Sequence, residues 1–262
     1  MRELVTMWRR TRMVVLVAVI AAVYAAVLIP FKGLTIVPGI TSVRPANVFP
    51  VIFGIMFGPA AAWGAAVGNL IGDIFGGTFG PGSAGGFLGN FFFGLLGYKL
   101  WNNLGVLSSG EEPDFRSETG RQVVEFVVVA ATASVACAVI ISWITEALGL
   151  FPFTALAPII TVNNTLAAVV LGPPLLYLTY PRIKEMGLLY TDVLRDEDLP
   201  DRASNTGAFV VIVASVVWLG VGLGAGDRLS GTGRLGLGVV AFLALAAGTY
   251  LAGQRLQAVV AG

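Results

Sequence analysis

The sequence predicts an all-α protein, a polytopic membrane helix bundle made of a six-helix core plus two additional transmembrane helices. Three observations predict it. Of the 262 residues, 56% are hydrophobic and 12% charged, and the mean hydropathy is +0.84, whereas a soluble globular chain carries roughly a quarter charged residues. Apolar runs recur at or near the length of about 20 residues that a hydrocarbon core of about 30 Å demands. Threading those runs through a bilayer also gathers most basic residues on one side, as the positive-inside rule requires.

The runs fall at 13–30, 46–58, 60–78, 86–102, 123–148, 161–180, 208–226 and 235–253. The first follows MRELVTMWRRTR and continues from Met13 to Ile29 with no small-residue cleavage site, so it reads as a retained helix and not a signal peptide. It carries Ala18, Ala21, Ala22, Ala25 and Ala26, small residues at four-residue spacings that let another helix come close. The second run is short and begins after Arg44-Pro45. The third carries glycines at 64, 68, 72 and 76 with Asn69 and Asp73 beside them, a smooth helical face next to a polar one. The fourth contains Asn90, the fifth ends in Ser142, Trp143, Thr145 and Glu146, and the sixth begins with Asn163 and Asn164. The last two are Val, Ala, Leu and Gly with almost no polar side chains. That change of character divides the chain into a substrate-binding membrane core (1–180), a cytoplasmic linker (181–207) and a two-helix membrane appendage (208–262).

Orientation follows from the arginines and lysines. With eight spans and both termini in the cytoplasm, twelve basic residues lie inside and only Lys32, Arg44, Arg228 and Arg234 outside. If 46–58 were a re-entrant loop, the count would be six inside and ten outside, the wrong way round. The two hydrophilic segments, 105–121 and 181–207, then face the cytoplasm of a cell whose plasma membrane the chain crosses, and read as solvated connectors.

Depth can be counted at about 1.5 Å per helical residue. Asn69 falls near mid-depth, and Asp73, Asn90, Trp143, Glu146, Asn163 and Asn164 fall in the outer half, with Arg44 in the outer loop. A carboxylate at a membrane-helix centre is penalised by about 2.5 to 3.5 kcal/mol, so Asp73 requires a partner. Arg44 is the first candidate. Two readings remain open: an ion pair pinning the loop to the third helix, or a wall of an outward-facing cavity for a small polar molecule, built from Arg44, Asn69, Asp73, Asn90, Trp143, Glu146, Asn163 and Asn164. Trp143 equally fits an interfacial aromatic belt, as do Trp63 and Trp101. The apolar loop 31–43 is either a lid over the cavity or a segment lying in the lipid interface.

Composition also excludes classes of function. There is no histidine, so the commonest general base and metal ligand is absent. The single cysteine, Cys137, forms no intramolecular disulfide and no thiolate cluster. No cofactor or metal is expected. An intramembrane enzyme would have to work with Asp73 and Glu146 alone, and the chain reads as no enzyme. A net charge of +1 supplies no field for nucleic acid.

The six-helix core, the alanine-bearing first helix, and the run RPANVFPVIFGIMFGP leading into GNLIGD resemble the substrate-binding S component of an energy-coupling factor (ECF) transporter. The arginine before the second helix and the Gly-Asn pair are similar to the queuosine-precursor type, and the resemblance covers residues 13 to 180. It implies capture of a vitamin- or nucleobase-like molecule from outside, with the loop 31–43 as lid. It also implies a separate transmembrane coupling subunit contacted by Ala18, Ala21, Ala22, Ala25 and Ala26, and two cytoplasmic ATPases. In keeping with that division, no GxxxxGK[ST] phosphate loop occurs in the chain. The C-terminal pair of helices departs from the six-helix pattern. The competing expectation is a stand-alone secondary transporter or channel driven by a proton or sodium gradient, in which Asp73 titrates or binds the cation.

Overall fold

A break at Gly58 organises the first half of the chain. Gly58 has φ +54°, a conformation that L side chains rarely adopt, and a Cβ there would also stand 2.8 Å from the Tyr190 ring. Pro59 follows at the first position of the next helix, where its missing N–H costs nothing. The computed structural model describes residues 1–37, 41–42, 44–199, 203–225, 228–253 and 256. Its helices are α1 (Glu3–Thr6), α2 (Thr11–Phe31), α3 (Val48–Phe57), α4 (Pro59–Phe75), α5 (Ser83–Leu100), α6 (Thr119–Ala147), α7 (Phe153–Glu185), α8 (Tyr190–Val193), α9 (Asn205–Ala225) and α10 (Gly231–Ala252). A small hairpin of β1 (Thr35–Val37) and β2 (Thr41–Ser42) follows α2. The expected lid, 31–43, falls partly on 38–40 and 43, outside the described residues.

The four spaced glycines of α4 form the groove into which α2 packs. A Cβ at Gly64 would lie 2.5 Å from Ile20, one at Gly68 2.9 Å from the Ala21 carbonyl, and one at Gly72 2.6 Å from Leu28, while Gly76 is covered by the Lys32 stem. Rising positions on α4 therefore meet rising positions on α2, so the two helices are parallel. The chain must cross back between them, and α3 completes that crossing.

Asn47, just before α3, hydrogen-bonds Tyr24 and Asn164 in the body of the bundle, whereas Gly58 at its end meets Tyr190. The helical stretch from Pro45 through Phe57 rises only about 20 Å, short of a hydrocarbon core of about 30 Å. The expected second spanning helix is thus a short helix preceded by a descending segment, Arg44 to Asn47, that ends in a 3-10 turn. Gly54 and Gly97 make room for it, because a side chain at either would enter the facing backbone of α5 or α3.

Helices α2, α4, α6 and α9 run from one end of the bundle to the other, and α5, α7 and α10 run back. We call the end with the N-terminal segment, the loop after α5 and α8 the basic end, and the opposite one the cavity end. Among the described residues, five helical segments suffice by length and apolarity to cross a bilayer: α2, α6, 153–193, α9 and α10. The shorter, glycine-rich α4 and α5 occupy the interior, where 14 of the 18 residues of α5 are buried against protein and need not be lipophilic.

Several boundaries differ from the sequence expectation. The sixth spanning helix begins at Phe153 and not 161, starting directly after Pro152, and it runs past 180 to Glu185. Segment 101–118 is no free connector: the buried Glu125 carboxylate accepts from the Asn102 and Ser109 amides at 2.6 and 2.8 Å and from the Ser109 hydroxyl at 2.7 Å. Trp63 and Trp101 likewise act as tethers, their indoles donating to the carbonyls of Leu4 and Glu111. At the same end, Lys99 is paired with Glu3 at 2.6 Å, both side chains being sealed from solvent.

Glycines bring the α9–α10 hairpin together and set it against α6 and α7. Gly222 lies under the Phe153 ring, Gly238 under the Trp143 indole, and Gly207 against the backbone at Ala252. Trp143 meets Trp218 edge-on at 5.7 Å and stacks on Phe242 at 6.4 Å. One continuous hydrophobic cluster joins these residues to the rest of the core.

Candidate functional site

The parallel packing of α2 on α4 brings the end of α2 beside the last turns of α4, and there a cavity of about 390 Å³ opens at the cavity end. Its polar wall comes from Lys32, Arg44, Asn69, Asp73 and Thr78, and its apolar wall from Ile141, Phe151, Leu156 and Ile160 on α6, α7 and their connection. A cavity with an apolar slab on one side and a few convergent polar groups on the other has the form of a small-molecule site, and its volume lies in the usual range of about 300–1,000 Å³.

The Asp73 carboxylate is the centre of the polar wall. Lys32 Nζ donates to its Oδ1 at 2.5 Å and to Thr78 Oγ1 at 2.7 Å, and Asn69 Nδ2 donates to Oδ2 at 3.3 Å. The partner of Asp73 is therefore Lys32 and not Arg44. The reason lies in the glycines: with no side chain at 72 or 76, the Lys32 stem lies along α4 and its ammonium reaches the carboxylate. Lys32 and Asp73 side chains are only 7% and 14% exposed, so this pair is largely shielded from water. Arg44 lines the same cavity from the descending segment. Its Nε is buried without a hydrogen-bond partner, and among the described residues no ion pair involves it. Gly86 keeps the space open, because a Cβ there would stand 2.7 Å from Asn69 Nδ2.

Beneath the cavity lies a buried polar network drawn from four elements. The Tyr24 hydroxyl lies 2.9 Å from the side-chain oxygens of both Asn47 and Asn90, Asn47 Nδ2 donates to Asn164 Oδ1 at 2.5 Å, and Asn90 Nδ2 donates to the Gly86 carbonyl at 2.8 Å. All four side chains are at most 3% exposed. Tyr24 has one hydroxyl hydrogen, which the two amide oxygens of Asn47 and Asn90 share as acceptors. The network fixes α2, the start of α3, α5 and α7 in register, since a buried polar group left without a partner costs about 1–3 kcal/mol.

Of the residues expected from sequence, Arg44, Asn69 and Asp73 line the cavity, and Asn90 and Asn164 lie directly below it. Asn163 sits one residue round α7, half-buried and outside the lining. Trp143 and Glu146 face away. Glu146 Oε1 accepts from the Phe153 amide and from Arg234, each at 3.2 Å, so it caps the start of α7 and holds α10. A carboxylate at the C-terminus of α6 is opposed by that helix's dipole, and the adjoining N-terminus of α7 offsets this. Thr145, the intervening residue, does face the cavity.

The alanines of α2 divide in the same way. Ala21 and Ala25 are buried in this chain, whereas Ala18, Ala22 and Ala26 form an exposed stripe.

Sequence reasoning missed Lys32, Thr78, Tyr24 and Asn47. The available signals were a lone lysine in an otherwise apolar loop, and a tyrosine and an asparagine inside apolar surroundings at matching depth. The model of the family described as QueT transporter matches residues 14–181, which takes in α2 through most of α7 and leaves out α9 and α10. No curated protein and no solved structure matches the chain.

Proposed function

We propose that this chain, which belongs to the QueT transporter family and is a multi-pass membrane transporter of a small substrate, acts as the substrate-capturing S component of an ECF transporter. The observation that carries the reading is the cavity at the end opposite the arginine-rich one, with Lys32, Asp73, Asn69 and Arg44 converging on it. Positive-inside logic turns the basic end to the cytoplasm and the cavity outward, with both termini cytoplasmic in the plasma membrane.

A flat, nucleobase-like heterocycle of the queuosine-precursor class suits the two walls. Its faces would lie against Ile141, Leu156 and Ile160, its N–H groups would meet the Asp73 carboxylate and Asn69, and its carbonyl oxygens would meet Arg44 and Lys32. The exposed stripe of Ala18, Ala22 and Ala26 offers a transmembrane coupling subunit a close approach, while Ala21 and Ala25 are already used by α4. Energy would come from two cytoplasmic ATPases on that subunit.

The test is gentle purification followed by mass spectrometry of the small molecule that comes with the protein, with binding then measured for Asp73→Ala. A nucleobase-like compound that binds the wild type and binds the variant at least tenfold more weakly supports the reading. Unchanged affinity would move the pocket elsewhere. A second reading is favoured by α3, which begins within the bundle as discontinuous helices of secondary transporters do. Robust proton- or sodium-driven uptake by vesicles holding this chain alone would select it.

A further inference from the structure

At the basic end, away from the cavity, two arginines share a groove, and among the described residues no carboxylate forms an ion pair with either. Arg116 enters it from the loop before α6, and Arg182 from the last turn of α7 together with Leu178, Pro181, Glu185 and Met186, enclosing about 370 Å³. Among the described residues neither arginine belongs to an ion pair, whereas the adjacent Lys184 is taken by Glu112 at 2.5 Å. The Arg116 guanidinium lies 5.3 Å from the Tyr177 ring centroid, a cation–π contact that holds it at the groove.

Depth decides what such a groove meets. The 33 residues of α7 extend about 50 Å, and the first 20 or so from Phe153 cross the hydrocarbon core. Leu178 and Arg182 therefore fall beyond the core on the headgroup side, with Leu178, 62% exposed, nearest the core and Met186 farthest from it. Two guanidiniums above an apolar wall match an amphiphile with a phosphate head. With Glu185 at the rim the groove carries a net +1, which matches the single charge of a phosphodiester better than the double charge of a phosphomonoester.

We propose that this groove binds an anionic phospholipid, Arg116 and Arg182 holding the phosphodiester and Leu178, on the core side of Arg182, lying against the start of the acyl chains. The test is native mass spectrometry of the full chain in micelles holding equal amounts of phosphatidylglycerol and phosphatidylcholine. The wild type should retain phosphatidylglycerol preferentially, and R116Q/R182Q should lose about tenfold to thirtyfold of that preference, the scale expected of two arginines at an anionic surface. R195Q, which removes an exposed arginine outside the groove, should keep it. Equal retention of both lipids by the wild type overturns the proposal, as does an undiminished preference in the double variant. Displacement of the lipid by millimolar inorganic phosphate assigns the groove to free phosphate and also overturns it. If the double variant does not fold, the wild type's melting temperature with each lipid decides: a rise with phosphatidylglycerol alone supports the site, and equal rises refute it.

Discussion

Replacing Asp73 by Asn leaves the Lys32 ammonium beside Thr78 in a site where Lys32 is 7% exposed and no other carboxylate pairs with it among the described residues. Removing one partner of a buried ion pair costs about 3–5 kcal/mol; because the pair borders an open cavity, a discounted figure of about 2–3 kcal/mol applies. At about 2–4 °C per kcal/mol, Asp73→Asn should melt roughly 4–12 °C below the wild type. Lys32→Met should cost less, since the carboxylate keeps Asn69 and Thr78. The double variant Lys32→Met/Asp73→Asn carries no buried charge and should regain most of the loss. The assay is thermal unfolding followed by tryptophan fluorescence in one detergent, read as a double-mutant cycle. Strictly additive single effects, or an Asp73→Asn protein as stable as the wild type, would show that the two groups do not act as a buried pair. The same cycle separates stability from function: a double variant that is stable yet fails to bind assigns the Lys32–Asp73 pair to the ligand.

Asn164→Ala removes the acceptor of Asn47 Nδ2 and should destabilise by about 1–3 kcal/mol while weakening ligand binding; equal melting temperatures would mean that water has replaced the lost group. Ala22→Leu sits on the exposed stripe and should leave ligand affinity unchanged while preventing co-purification with a coupling subunit, so an intact complex would move that interface off α2. Gly238→Leu drives a side chain into the Trp143 indole and should cost about 1–3 kcal/mol of stability with little change in ligand affinity; a large loss of affinity at unchanged stability would return Trp143 to the binding site. The Arg10 hydrogen bond at 3.0 Å holds the Asp198 carboxyl below the usual aspartate range. A depressed carboxylate contributes stability above its unfolded pKa and loses it as pH falls through the folded one. The melting curves of wild type and Asp198→Asn should therefore differ from roughly pH 5 upward and converge in acid, the unfolded aspartate titrating near 3.9; parallel curves at all pH values would exclude the pair as a contributor.

The sequence by itself determined that this is a membrane bundle, because 12% charged residues and repeated apolar runs leave no other solvent for it. It also determined where α4 allows close approach, since a glycine every fourth residue removes side chains from one face whatever the partner. Depth was legible too: counting residues put Asn69, Asp73, Asn90 and Asn164 near one level, and the cavity and its polar floor lie there. Azimuth was not. At about 100° per residue, Thr145 faces the cavity while Trp143 and Glu146 face α9 and α10, and only the neighbours a helix packs against settle which way it is turned. The choice of Lys32 over Arg44 as the partner of Asp73 was fixed in the same way, because it depends on α2 running parallel to α4 with its last turn against Gly72 and Gly76. Sequence spacing sets how far along the membrane normal a side chain sits, and the packing of helices sets which side chain it meets there.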